Sequence, residues 1–292
     1  MILALYGKSI SDSYLGYLQQ LIDHLTDTDG CFWIYKPFAD YLEGKIRFAR
    51  PPVPFMKADD IAGKAELFLS IGGDGTILEA VSIVRDSGIP IAGINLGHLG
   101  FLSSISKEEI LPAIREIRER KFHLDQRTLL KLETASGLFG DLNFALNELT
   151  VHKSNVQTLL TIQTYINGQF LNKYWADGLI VATPTGSTAY SLSCMGPILT
   201  PDSENFVITP IASHNLTVRP IVVRDTSRIR ILVESNANAF MVSLDSRVEK
   251  ITSALELNIY KAGFTIQLVR LSDSGFFQTI REKLKWGLDI RN

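Results

Sequence analysis

Leu67-Phe68-Leu69-Ser70-Ile71-Gly72-Gly73-Asp74-Gly75-Thr76 decides how the first half of the chain folds. Five mostly apolar residues without alternation predict a strand covered on both faces. A glycine-rich turn follows, and Ile77, Ala80, Val81 and Val84 then recur at helical spacing. Working outward, Ile2 to Tyr6 is a short apolar run that reads as a first core strand rather than a signal peptide. From Ser11 a helix is predicted, with Leu15, Leu18, Ile22 and Leu25 near one face, and Cys31 to Tyr35 reads as a second strand. Downstream, Ile89 to Ile94 is another strand. Ser106 to Arg120 reads as a helix in which Ser106 and Glu109 fit a capping box, and Pro112 is placed to kink its first turns. Strands alternating with helices predict a mostly parallel sheet covered by helices.

After about residue 125 the texture changes. Short strands are predicted at Leu129–Glu133, Phe144–Thr150, Leu159–Ile166, Leu179–Thr183, Phe206–Ile211, Arg228–Glu234, Glu256–Tyr260 and Phe264–Val269, with a hairpin turn at Asn167-Gly168. The last stretch turns helical, with Ser274 as its cap and Phe276, Phe277, Ile280 and Leu284 along it. The expected architecture is therefore an α/β N-terminal domain with a mostly parallel sheet (1–125), an all-β C-terminal domain (126–273), and a C-terminal helix (274–292) packing back on the N-terminal domain.

The bulk numbers fit this plan. The chain has 292 residues, 46% hydrophobic and 21% charged, enough for ample cores. A net charge of −2 gives no basic excess, so neither nucleic acid nor an anionic membrane is expected as a partner. No apolar run reaches the ~18 residues of a membrane span. Cys31 and Cys194 are the two cysteines; they imply no disulfide framework and suit a reducing compartment.

Four strings carry chemistry. Gly72 to Thr76 lies between strand and helix, where backbone N–H groups and the helix N-terminus can approach a phosphate. The plainer alternative is a tight turn capped by Asp74 or Thr76. A carboxylate in such a cradle makes sense as a proton acceptor or beside a metal. Asn95-Leu96-Gly97-His98-Leu99-Gly100-Phe101-Leu102 leaves the next strand, on the same crevice side, with Phe101 able to stack on a base or to fill core. His98 reads as a turn or hydrogen-bonding residue. Asn147-Glu148, at a strand end, can grip ribose hydroxyls and an adenine edge, or simply face solvent. Asp177-Gly178 leads to Thr183-Pro184-Thr185-Gly186-Ser187-Thr188-Ala189-Tyr190-Ser191-Leu192-Ser193, with seven hydroxyl side chains in 11 residues. That density suits a nucleotide, against the alternative of an ordinary Ser/Thr loop. Gly7-Lys8-Ser9 lacks the first glycine of a P-loop, and Gly93, Gly97 and Gly100 miss the Rossmann spacing.

Together these strings resemble the NAD kinase family over roughly residues 65 to 290. The family's Gly-Gly-Asp-Gly loop, Leu-Gly-x-Leu-Gly-Phe loop and Asn-Glu pair fall at Gly72–Gly75, Leu96–Phe101 and Asn147-Glu148. Its Thr-Pro-Thr-Gly-Ser-Thr-Ala-Tyr-Ser-Leu-Ser string falls on Thr183–Ser193 without a substitution. His214 to Pro220 and the Phe276-to-Trp286 ending fit as well. The resemblance implies transfer of a phosphoryl group from ATP or another donor to the adenosine-ribose 2′-hydroxyl of NAD, giving NADP. It implies Asp74 as proton acceptor, Gly75 beside it, and Asn147 and Glu148 on the adenosine part. Asp177, Thr185, Thr188, Ala189, Tyr190, Ser191, Leu192, Ser193 and Ala212 fall on the remaining dinucleotide contacts. A divalent metal, expected to be magnesium with ligands unassigned, is also implied, as is a cytoplasmic homodimer or homotetramer. Two positions depart from the pattern: Met195-Gly196-Pro197 stands for Gly-Gly-Pro, and Leu244-Asp245-Ser246 stands where Asp-Gly is common. A related lipid kinase and a catalytically silent dinucleotide-binding regulator are the alternative readings. The hydroxyl-rich string argues against the first and Asp74 against the second.

Overall fold

The computed structural model describes the chain except residues 30–31, 98–99, 155–158, 235–238, 272–274 and 287–292. Cys31, His98 and the expected cap Ser274 lie outside the described residues. The chain forms two compact units, Met1–Gln126 with Ile266–Asn292, and Arg127–Thr265.

The first unit is built on β1 (Leu3–Gly7), β2 (Trp33–Tyr35), β3 (Val53–Phe55), β4 (Leu67–Ile71), β5 (Ile91–Asn95) and β6 (Ile105–Ser106). Their order is β3-β2-β1-β4-β5, with β6 beside the end of β5, and every pairing is parallel. Between them run α1 (Leu15–Asp29), α2 (Lys36–Leu42), α3 (Ala58–Ile61), α4 (Asp74–Val84) and α5 (Ile110–Arg118). β1, β4 and β5 are buried along their whole length, as unalternated apolar runs require. Leu18, Ile22 and Leu25 of α1 and Ile110, Ile114 and Ile117 of α5 join Leu3, Leu69 and Ile94 in one core. The expected capping box at Ser106 takes another form. Its hydroxyl bonds the Glu109 carboxylate at 2.7 Å, so a 3-10 turn precedes α5 and Pro112 falls in the helix's first turn, where no N–H is needed.

The second unit contains β7 (Phe122–Glu133), which enters it from the first, then β8 (Phe144–Ala145), β9 (Glu148–Lys153), β10 (Leu160–Ile166), β11 (Gln169–Ala176) and β12 (Gly178–Ala182). A short helix α6 (Tyr190–Ser193) is followed by β13 (Asn205–Ile211), β14 (Ile221–Arg224), β15 (Ile229–Glu234), β16 (Phe240–Leu244), β17 (Arg247–Ile251) and β18 (Leu255–Leu271). One antiparallel sheet has the order β14-β13-β12-β9-β16-β17, and a second antiparallel set runs β11-β10-β15-β18. Both contribute to one core that includes Leu149, Val181 and Val242 with Ile162, Ile231 and Leu257. Asn167 (φ 51°) and Gly168 (φ 82°) both take the left-handed conformation of a two-residue hairpin turn between β10 and β11. The strands expected at 256–260 and 264–269 are one strand, β18. Its last part belongs to the first unit, where Leu268 pairs with Ile91, and α7 (Phe276–Leu284) follows there with Ile280 buried. Among the described residues no helix is long and apolar enough to cross a membrane.

Candidate active site

In the first unit, β4 and β5 are parallel neighbours, so the turns leaving their carboxyl ends emerge side by side. Asp74 opens α4 behind Gly73, which holds the cap position itself. The Asp74 carboxylate reaches across to the second loop. Its Oδ2 accepts the N–H of Phe101 (2.8 Å), and its Oδ1 accepts the N–H groups of Leu102 (3.1 Å) and Ser103 (3.0 Å) and the Ser103 hydroxyl (3.1 Å). The buried Asn95 ties the same loop down through Ser103 Oγ and the N–H of Gly97. A side chain at Gly100 would place its Cβ 1.8 Å from Asp74 Oδ1, so this close approach demands glycine. Phe101 is half-buried and Gly75 exposed. Asp74 is thus more than a cap: Oδ1 is filled by three donors, whereas Oδ2, with one, keeps acceptor capacity.

The second unit gathers the other expected residues around β12. This strand is buried along its whole length although it lies in an antiparallel sheet. Leu179 and Val181 face the main core, while Ile180 and Ala182 pack with Val207, Ile211, Cys194 and Leu199. The hydroxyl-rich segment covers that second face, and most of its hydroxyls are engaged with other groups of the same unit. Thr183 donates to Leu146 O (2.5 Å), Ser187 to Pro184 O (2.6 Å) and Thr188 to Thr185 O (3.1 Å); Ser191 shares a bond with Thr209 (2.8 Å). Thr185 is buried beside Arg127, 3.4 Å away. A Cβ on Gly186 would sit 2.1 Å from the Asn147 carbonyl, so the segment hugs the Asn-Glu pair. Tyr190 and Ser193 are exposed, with Ala189 and Leu192 between exposed and buried. The expected supply of free hydroxyls therefore shrinks to a few side chains, and the remainder shape the backbone.

The strand expected over 144–150 is broken at residues 146 and 147: Asn147 lies between β8 and β9, while Glu148, as the first residue of β9, does sit at a strand end. The break has a cause: Asp245 captures the amides of residues 146 to 148, which a continuous strand would have used in its ladder. Asn147 is 8% exposed and its carbonyl accepts the N–H of Thr183 at 2.9 Å. Burial pushes the Glu148 carboxyl up to about 8; the nearby Asp245 adds to the rise, and one bond from the Tyr190 N–H opposes it. Its Oε2 is buried without a hydrogen-bond partner, an atom that asks for one.

Asp177 and Ala212 adjoin the opposite end of β12, where the Asp177 N–H meets Ile211 O at 3.0 Å. Asp177 is paired with Lys153 (2.5 Å). Ala212 sits at φ 45°, a conformation costing a non-glycine residue ~1–2 kcal/mol and typical of functional turns. The two ends of β12 lie roughly 14 Å apart at ~3.4 Å per residue. Tyr190 links them: its N–H bonds Glu148, and its phenol, raised by burial first, also feels Cys194 and Asp177. Residues that sequence reasoning passed over include Lys153, Ser103 and Asp245. The sequence marked only the neighbourhood of Asp245, where Ser246 replaces the glycine of the common Asp-Gly pair.

Among the described residues no three His, Cys, Asp or Glu side chains are grouped to hold an ion, and Asp74 is largely occupied by the 101–103 loop.

Residues 57–122 match the ATP-NAD kinase N-terminal domain and residues 146–271 the ATP-NAD kinase C-terminal domain. The NAD kinase of Cytophaga hutchinsonii is 46% identical over 293 residues, covering all of both chains. That of Flavobacterium psychrophilum is 42% identical over 294 residues, again covering both completely. The crystal structure of yeast NADH kinase complexed with NADH superposes with a TM-score of 0.88 at 26% identity, covering 100% of this chain and 89% of that one. Identity at this level along the entire length, with both domain patterns in place, makes the chain a member of the NAD kinase family.

Proposed function

We propose that this chain phosphorylates the adenosine-ribose 2′-hydroxyl of NAD, with ATP as donor, to give NADP. Full-length family membership carries the reading. Asp74, fixed between two loops at a helix N-terminus with Oδ2 still able to accept, supports it at the residue level. In this reading the 2′-hydroxyl donates its hydrogen bond to Asp74 Oδ2 and passes its proton there as its oxygen attacks the γ-phosphate, whose bond to the β,γ-bridging oxygen breaks to release ADP. The Gly72–Gly75 backbone approaches the donor phosphates. In a loose phosphoryl-transfer transition state, positioning and charge carry most of the catalysis.

Asn147 and Glu148 hold the adenosine part, and Asp177, Ala212 and the exposed parts of Thr185–Ser193 complete the dinucleotide contacts. A divalent metal, magnesium, comes with the donor phosphates rather than from a protein cage, and no step is assigned to it. The working enzyme is a cytoplasmic homodimer or homotetramer; light scattering that finds a fully active monomer overturns the assembly. For the activity, purified protein with NAD, ATP and magnesium is expected to form NADP. Failure to form NADP from NAD and NADPH from NADH sinks the proposal.

A further inference from the structure

Asp245 is the most connected residue near the Asn-Glu pair, and the reaction as described does not use it. It occupies the turn between β16 and β17 at φ 52°, yet its side chain is only 2% exposed. Its carboxylate accepts the N–H groups of Leu146 (2.9 Å), Asn147 (2.8 Å) and Glu148 (3.3 Å), and its own N–H donates to the Glu148 carbonyl at 3.0 Å. Arg247 stands 3.8 Å from Asp245 Oδ2, and its guanidinium is fastened to the carbonyls of Leu142 and Phe144. A hairpin turn needs none of this. A buried carboxylate holding three consecutive amides next to a second buried carboxylate is expensive and calls for a reason.

We propose that Asp245 is a positioning residue for dinucleotide binding, which clamps the Asn147-Glu148 backbone and makes Glu148 a proton-bearing hydrogen-bond donor toward an acceptor on the ribose or adenine. The inference rests on the reading of Asn147 and Glu148 as NAD contacts. Glu148 is faced by Asp245 from the β16–β17 hairpin, itself beside Arg247, and by the Tyr190 N–H from α6. Burial raises both carboxyls, but their surroundings differ. Three amides and Arg247 favour charge on Asp245, whereas Glu148 has the single Tyr190 amide and an unpartnered Oε2. Neighbouring buried carboxylates resist being ionised together, so the proton goes to Glu148. A neutral carboxyl offers one O–H donor, and an ionised one only accepts.

The test is calorimetric titration of NAD into the full-length protein without donor, from pH 6.5 to 9.5. Wild type should hold a steady Kd at low pH, then weaken by up to about tenfold per pH unit once Glu148 loses its proton. Glu148→Gln, permanently neutral, should bind with no such bend. Asp245→Asn should bind more weakly throughout and, with the neighbouring charge gone, show its bend at lower pH. Asp245→Ser gives the same reading if the asparagine variant does not fold. A flat wild-type profile overturns the inference while leaving the NAD site intact. So does a bend that survives in Glu148→Gln, or one that stays in place when Asp245 is neutralised, which marks a merely structural role. No NAD binding at any pH overturns the functional reading and the inference with it.

Discussion

At Asp74 a single carboxylate joins two loops and is the proposed proton acceptor, so a substitution touches both roles. Asparagine keeps one oxygen for the three donors now on Oδ1 but turns an NH₂ toward the Phe101 N–H. Asp74→Asn is expected to fold, to bind NAD, and to lose kcat by ~10²–10⁴-fold, the usual contribution of a positioned acid–base group. Ser103→Ala, which removes only one of the four donors, should cost far less. Comparable kcat losses in the two variants would assign Asp74 to loop architecture alone. Glu148 makes a different prediction. Its folded pKa, about 8, lies above the ordinary 4.5, so the folded chain binds the extra proton between those values. Its contribution to stability is complete below pH 4.5 and declines as pH rises toward 8, by at most about 1.4 kcal/mol per pH unit. Wild type should therefore lose melting temperature relative to Glu148→Gln between pH 5 and 8; parallel curves would contradict this. The Gly-Gly-Asp-Gly and Asn-Glu positions were legible in the sequence because loop composition marks them. The partners of Asp74 and Glu148 were not, since Phe101 to Ser103 and Asp245 are distant in sequence and only folding brings them in.

At the scale of elements, the hydroxyl-rich segment is a cover for β12 whose turn is held by an unusual residue. Met195 takes φ 65° and is 86% exposed, so the loop keeps a glycine-like shape without a glycine. Met195→Gly should stabilise the protein by about 0.5–1 kcal/mol, the left-handed penalty less the entropy of glycine. Chemical denaturation checks this, and a destabilised variant would mean the methionine makes up its strain elsewhere. The strand pattern shows where periodicity serves and where it fails. β4, β5 and β10 were visible as apolar or alternating runs with clear turns. β2 was read within Cys31 to Tyr35, whereas β3, three residues long, falls below any periodic window. β8 and β9 looked like one strand because Phe144 to Leu146 and Leu149 are apolar on either side of Asn147 and Glu148; what parts them is a carboxylate almost a hundred positions later.

At the scale of the whole molecule, the lack of a metal cage among the described residues leads to a separation of effects. Chelation should abolish phosphoryl transfer while leaving the melting temperature unchanged, because no described ligand set links the ion to folding. A chelator-induced fall in melting temperature would reveal a protein-held ion. The α/β-then-β division was readable from the change in strand spacing near residue 125. The sharing of β18 was not, because Lys261-Ala262-Gly263 looks like an interruption within it. That sharing has a bearing on biosynthesis. The second unit is one uninterrupted span, Arg127–Thr265, whereas the first needs residues from both ends of the chain. Val269 and Leu271 supply part of the first unit's core, and Leu268 pairs with Ile91. As the ribosome makes the polypeptide from its N-terminal side, residues 1–126 must wait for residues beyond 265, while the span between already has everything it requires. The loop bearing Asp74 therefore gains its finished surroundings only after residues 266–271 have been made.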